Sequence, residues 1–499
     1  MEEKTGLATG LFINENCSLP GQFSTRKELL TKDNDDIDLL EDSRSYQFTG
    51  GRFDRDWTQG SIIKNLLSLS WPMIVTNTIM MLGPTIDMIW VGRLGSAAIA
   101  GVGVSGMAVM LLNSMMMGLA QGMRAVIARF VGARNFDGAA HAARQAFAIC
   151  ASFSFVMAII GIVFAESILL LLGLEADVVT EGAKYLRILF GASVSMSFRM
   201  LIESIMQASG DTVSPMKITL GYRIFHVILC PFFIFGWWIF PEMGVSGAAL
   251  TNVIAQTIGM VIGMWFLFSG RTRIRVSMKD FRIDFTMIWR IVRIGIPALI
   301  SGLQRNATQL IIMWFVVPFG TASVAAHTLN QRIEMIMFMP TWALGMASGV
   351  LAGQNLGAEQ PDRAVKSSWI AVAIVEGVMI IFSIVLLVAA EHIVHLFSSE
   401  PDVVNIAATY LRIGVISYSI LGFVAVLMNS LSGSGDTLPP MIVAMTTVLV
   451  VTLPLAYFLS KYTSLGVFGV RWGMAIETVV QAIIFVIYFR TGKWKTKYV

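Results

Sequence analysis

Residues 207–216 read QASGDTVSPM and residues 432–441 read SGSGDTLPPM, the same Gly-Asp-Thr turn followed by a proline, with the two aspartates, Asp211 and Asp436, 225 positions apart. The offset extends beyond the turn. VGAR around Gly132 matches LGAE around Gly357, Pro72 matches Pro297 and Gly95 matches Gly320, each again at 225. One spacing held at four places marks an internal duplication. The chain therefore reads as two halves, 61–270 and 291–490, joined by a basic linker at 271–290.

What the halves are made of follows from composition. Of 499 residues, 55% are hydrophobic and only 14% charged, outside the range of ordinary globular domains. Apolar stretches long enough to cross a bilayer as helix recur about twelve times. Their approximate spans are 62–91, 99–130, 143–172, 183–207, 216–240, 244–269, 291–318, 322–352, 366–390, 403–430, 438–460 and 465–489. Six spans per half is an even number, so both halves enter the membrane from the same side. The expected fold is an all-α polytopic membrane protein, two six-helix bundles related by a pseudo-twofold axis along the membrane normal.

Charge placement sets the expected orientation. Lys and Arg collect at Arg52 and Arg55, Arg129 and Arg134, across Arg271 to Arg282, and at Lys493 to Lys497, whereas the alternate loops 241–246, 318–323 and 391–402 hold none. By the positive-inside rule both termini are cytoplasmic, in a plasma (inner) membrane. Residues 1–60 are polar, mixed in charge and without a secretory signal core; they read as a disordered cytosolic tail, with 491–499 as a short C-terminal one. Within the first tail DDIDLL, 35–40, has the look of a sorting signal. Cys17, Cys150 and Cys230 have no paired spacing and suggest neither a disulfide framework nor a metal motif.

Several function classes drop out. No GxxxxGK[ST] phosphate loop and no soluble domain for a nucleotide are present, so transport would run on an ion gradient, with no nucleotide, nucleic acid or cofactor beyond H⁺ or Na⁺. An intramembrane enzyme would need a set such as HExxH or GxSxG, and neither occurs. Parallel repeats instead suit a cavity between two rocking bundles.

The strings DMIWVGRLGSAAIAGVG (87–103), GLAQGMRAVIARFVGARN (118–135), VAAHTLNQRIEMIMFMP (324–340) and GVLAGQNLGAEQPDRA (349–364), together with the twin turns, resemble the multidrug and toxic compound extrusion (MATE) transporters through both halves. The resemblance implies an antiporter, monomeric in a lipid bilayer, that exports organic, often cationic, compounds in exchange for H⁺ or Na⁺. Exporters of organic anions and lipid-precursor flippases share the architecture and stand as alternatives, the flippase being expected to show a strongly cationic cleft and extra helices.

The residues that would carry coupling start with Asp87. It lies about five residues, roughly 8 Å, inside the far end of the first helix. A charged carboxylate there costs about 3 kcal/mol against lipid, so it must face a cavity, find a partner or hold a proton. Pro84, which cannot donate to the Met80 carbonyl, is expected to bend the helix just below it. Bonding of Asp87 to neighbouring hydroxyls such as Thr85 is the static alternative. Counting depth along the fifth and sixth helices brings His226, Cys230, Thr251 and Asn252 to the same layer. In MATE proteins with a cation site in this half, the resemblance puts Asn, Asp and Thr at the places where this chain holds His226, Cys230 and Asn252. A thiol and an imidazole in place of hard oxygen ligands weaken a Na⁺ site, and His226 titrates near neutrality, which favours protons.

The second half offers Arg305 near the middle of the seventh helix. Always charged, it needs a partner: Glu334, Glu376 or an anionic substrate. Arg199 with Glu203, and Arg332 with Glu334, read as internal pairs. Glu334 stays a second-rank candidate because Pro340, six residues on, repeats the pairing of acid and kink. The 31 methionines suit an adaptable cavity or simple packing. The histidines of EHIVH, 391–395, are two ligands short of a site and read as surface.

Overall fold

A computed structural model describes residues 55–171, 176–279 and 281–497, and all its regular structure is helical. The tail through residue 54, with Cys17 and DDIDLL, lies outside the described residues. Among the described residues fifteen α-helices run in order: α1 Ile62–Val91, α2 Ser96–Gly132, α3 Phe136–Leu171, α4 Ala176–Gly191, α5 Ser193–Ser209, α6 Val213–Phe235, α7 Gly244–Phe268, α8 Phe285–Val316, α9 Thr321–Gly357, α10 Pro361–His395, α11 Pro401–Tyr418, α12 Leu421–Gly433, α13 Leu438–Thr447, α14 Leu453–Tyr462 and α15 Val467–Arg490. α13 and α14 are one span, joined through a single π turn at Val448–Thr452.

Among the described residues ten helices are long and apolar enough to cross a membrane, and two bent pairs, α4 with α5 and α11 with α12, bring the number to twelve. Both pairs bend by 50°. The sequence reading places one continuous helix in each place; the structure breaks them at Ala192 and at Ser419–Ile420. Average hydropathy is unaffected by one turn of irregular backbone, so the break leaves no trace in composition. Most other spans run three to seven residues past their apolar stretch, because helical hydrogen bonding continues into the polar ends. α8 starts at Phe285, inside the stretch assigned to the linker, where the Asp284 carboxylate accepts from the backbone N–H of Thr286 and Met287 and supplies the missing first-turn acceptor.

The duplication is visible in the backbone itself. Left-handed conformations recur at the 225 offset: Gly95 with Gly320, Gly210 with Gly435, and the non-glycine pair Arg134 (φ 57°) with Glu359 (φ 58°). A non-glycine residue rarely adopts such an angle, so its repetition marks an inherited helix ending.

The two bundles meet along a seam near the end where Arg129 reaches the carbonyls of Ser434 and Lys497. α2 packs closely on α8: a β-carbon at Gly122 would stand 2.7 Å from the backbone nitrogen of Gly295. Hydrogen bonds cross the same seam from Gln354 to the Ala208 carbonyl (2.8 Å), from Arg129 to the Ser434 carbonyl (3.2 Å) and, deeper, from Asn306 to Ser114 Oγ (2.9 Å).

Candidate functional site

Three helices of the first bundle converge on Asp87. α1 carries the aspartate, α6 carries His226 and Cys230 one turn apart on a single face, and α7 crosses beside them with Asn252. The spacing of four between His226 and Cys230 is what puts both on the same side of α6. Asp87 is 2% accessible and His226 and Cys230 are 0%, while Asn252 is half-buried.

The contacts are short and uneven. The Cys230 thiol donates to Asp87 Oδ1 at 3.6 Å and the Asn252 amide to Oδ2 at 3.4 Å. His226 Nε2 lies 3.1 Å from Oδ1, yet the alignment is too poor for a hydrogen bond and the nitrogen has no other partner. Asp87, His226 and Cys230 place their ligating atoms within 4.8 Å of one another.

Depth counting thus brings together four of its five residues. Thr251 is buried at the same height but spends its hydroxyl on the Gly247 carbonyl at 2.6 Å. Nor does Thr85 bind the acid; its hydroxyl turns to the Met81 carbonyl. The helices run unbroken through positions 84 and 340, so whatever bending Pro84 and Pro340 introduce is accommodated without ending the helix.

Around this group lie residues that the sequence reading did not single out. Arg223, one turn before His226, points Nη1 to within 3.5 Å of His226 Nδ1 and stacks its guanidinium 5.4 Å from the Tyr222 ring. A hydrogen-bond chain also runs away from the acid: Arg199 donates to Gln256 Oε1 (3.4 Å), and Gln256 donates to Asn252 Oδ1 (2.6 Å). Arginine is a donor only, so this chain fixes both amides with their N–H groups facing Asp87. The Arg199–Glu203 pair read from the sequence anchors it at 2.9 Å. The i, i+3 spacing of Arg223 and His226 was the available signal for the first of these; nothing in the sequence marks Gln256.

The second bundle departs from expectation. Glu334 pairs with Arg471 of α15, which neither end of the sequence suggested, and its Oε1 also accepts the Tyr418 hydroxyl at 2.6 Å. That replaces the expected Arg332 pairing. Glu376 accepts the backbone N–H of Phe423 at 3.0 Å. Arg305 therefore has neither of its two expected acids; it is exposed, and its guanidinium lies 4.9 Å from the centre of the Trp342 ring. His392 and His395 are exposed, as surface residues should be.

Twelve spans in two duplicated bundles, bonded to each other along one seam and carrying an acid buried within one bundle, have the architecture of a membrane transporter. A MatE family model matches residues 72–232 and again 297–458, a pair of matches that restates the 225-residue duplication. Together they cover more than half of the chain, and the chain belongs to the MatE family.

Similarity runs nearly end to end with transporter YisQ of Bacillus subtilis, 26% identical over 436 residues that make up 87% of this chain and 95% of the relative. The probable multidrug resistance protein NorM of Thermotoga maritima is 23% identical, covering 87% of this chain and 94% of the relative. A crystal structure of MATE in the bent conformation superposes with a TM-score of 0.82 at 23% identity, over 87% of this chain and 96% of that one. By family the protein is a membrane transporter.

Proposed function

We propose that this transporter is an antiporter that exports organic compounds, cationic ones first, in exchange for protons, and that Asp87 is the acid at which the coupling ion acts. The reading rests on one observation: the only carboxylate of the cluster is buried against an imidazole and a thiol. A Na⁺ ion prefers several hard oxygens, and here the carboxylate has two nitrogens, of His226 and Asn252, and the sulfur of Cys230 as its nearest companions. A proton needs only the acid. Loading the proton neutralises Asp87 and removes the charge that a cationic cargo would balance, so the two occupants exclude one another.

The supporting context is coarse but consistent. Basic residues favour the sides holding both termini, which suits a plasma membrane with cytoplasmic ends. Each chain carries both bundles, so a monomer has a complete pathway. The test is efflux of a fluorescent organic cation from proteoliposomes under a pH gradient or a Na⁺ gradient, with wild type and Asp87→Asn. Export driven by the pH gradient and lost in a folded Asp87→Asn variant supports the reading; export driven by Na⁺ alone, or unaffected by the substitution, overturns it.

One observation favours a second reading. Arg305 is accessible, sits over Trp342 and pairs with neither Glu334 nor Glu376, whose carboxylates go to Arg471 and to the Phe423 backbone. A fixed positive charge on an aromatic platform suits a flat organic anion.

A further inference from the structure

We propose that Asp87, His226 and Cys230 form a binding site for a borderline transition-metal ion of the Zn²⁺ class. Zinc takes carboxylate oxygen and imidazole nitrogen at about 2.0–2.1 Å and thiolate sulfur at about 2.3 Å in a tetrahedron, which sets the ligand-to-ligand edges at about 3.3 Å for O···N and about 3.6 Å for pairs with sulfur. The corresponding distances are 3.1 Å from Asp87 Oδ1 to His226 Nε2 and 3.6 Å from the same oxygen to Cys230 Sγ. Two of the three edges match, and the third, from His226 Nε2 to Cys230 Sγ, lies within 4.8 Å.

The second observation is independent of that spacing. His226 is wholly buried, and Nε2 faces the acid without making a hydrogen bond to it or to anything else. A buried polar atom without a partner is costly, and a metal ion between the three groups would supply what the nitrogen lacks. Thiolate and imidazole select for borderline ions over Na⁺ or Mg²⁺, so the same two residues that disqualify a hard-cation site qualify this one.

Charge and proton balance follow. The ion displaces the proton of the Cys230 thiol, and that of Asp87 if it carries one, to solvent. A carboxylate, a thiolate and a neutral imidazole then neutralise a divalent ion, and a water takes the fourth position. The charges facing the site from the packed helices are Asp87 on α1 and Arg223 on α6; Tyr185 of α4 and Asn252 of α7 complete the surround. Arg223 opposes binding. With the metal on Nε2, Nδ1 must carry the proton, and it then meets an N–H of Arg223 3.5 Å away.

The claim concerns binding at the site that the proposed function uses, but it does not require that function to be correct. Its test is titration of the purified full-length protein in detergent with Co²⁺, read by the thiolate-to-cobalt absorption band and by tetrahedral d–d bands, followed by displacement with Zn²⁺. A Cys17→Ser/Cys150→Ser background leaves Cys230 as the sole thiol. The expected result is one Co²⁺ per chain with a thiolate band, lost in Cys230→Ser and weakened at least tenfold in His226→Asn, while Arg223→Met tightens binding. A wild-type protein without the thiolate band, or a band that survives Cys230→Ser, overturns the proposal. If Co²⁺ fails to bind while Asp87→Asn still abolishes proton-driven export, the metal site falls and the coupling reading stands. Binding that persists in a protein indifferent to the pH gradient separates them the other way.

Discussion

Replacing Glu334 by leucine strands a charge in the second bundle. The carboxylate and the Arg471 guanidinium are only 11% and 6% accessible, and the Tyr418 hydroxyl donates to the same oxygen at 2.6 Å. Three helices, α9, α11 and α15, thus converge on one atom. Removing one member of a buried pair typically costs about 3–5 kcal/mol, because the other is left without its counter-charge, whereas replacing both by apolar residues of similar size is often neutral or better. Glu334→Leu is expected near the upper end of that range. Glu334→Gln, which keeps an acceptor for Tyr418, belongs near the lower end. The double variant Glu334→Leu/Arg471→Met should lie within about 1 kcal/mol of wild type. The assay is reversible SDS unfolding in mixed micelles for the full cycle of singles and double, which isolates the coupling. If the singles add, or if Glu334→Leu costs less than about 1 kcal/mol, Glu334 and Arg471 are not a buried pair that depends on mutual neutralisation.

Two shorter expectations concern the linker and the cleft. At the start of α8, the hydrogen bond from His141 (3.0 Å), with the backbone N–H groups of Met287 and Thr286, holds the Asp284 carboxyl below its ordinary range. A depressed acid stabilises the fold above its unfolded pKa, near 4, and that contribution disappears as pH falls through the lower folded value; melting of wild type and Asp284→Ala in detergent should differ at pH 7 and converge once the medium is acid enough to protonate the folded carboxyl. If Arg305 and Trp342 receive flat anions, Arg305→Gln should raise the KM for an aromatic carboxylate at least tenfold and leave that for an organic cation unchanged or lower. Equal effects on both cargoes would remove the anionic reading.

How much of this was legible in the sequence depends on what kind of information each feature needs. The duplication was legible because Gly210 and Gly435 occupy left-handed positions that few other residues tolerate, so the same letters recur where the backbone requires them. Span number was legible from hydropathy, and the layer of Asp87 from the constant rise of a helix. Depth alone says nothing about rotation around the axis. Thr251 and Asn252 are neighbours at one height, and only Asn252 turns toward the acid, while Thr251 closes on its own helix. Arg471 was missed for a related reason. It reaches Glu334 from 137 residues away, and no local pattern announces which of several apolar helices will bring a cation across. The breaks at Ala192 and Ser419 were invisible because a bend changes direction without changing composition.

The seam between the bundles also bears on energy. The bonds from Gln354, Arg129 and Asn306 cross it, and each contributes about 0.5–1.5 kcal/mol net, so together they favour this arrangement by about 2–4 kcal/mol. Moving one elementary charge through a 100 mV potential is worth about 2.3 kcal/mol. On the proposed ion coupling, a preference of that size would keep the opposite arrangement to a few per cent or less at rest, and the energy of one or two coupling ions would be enough to reverse it.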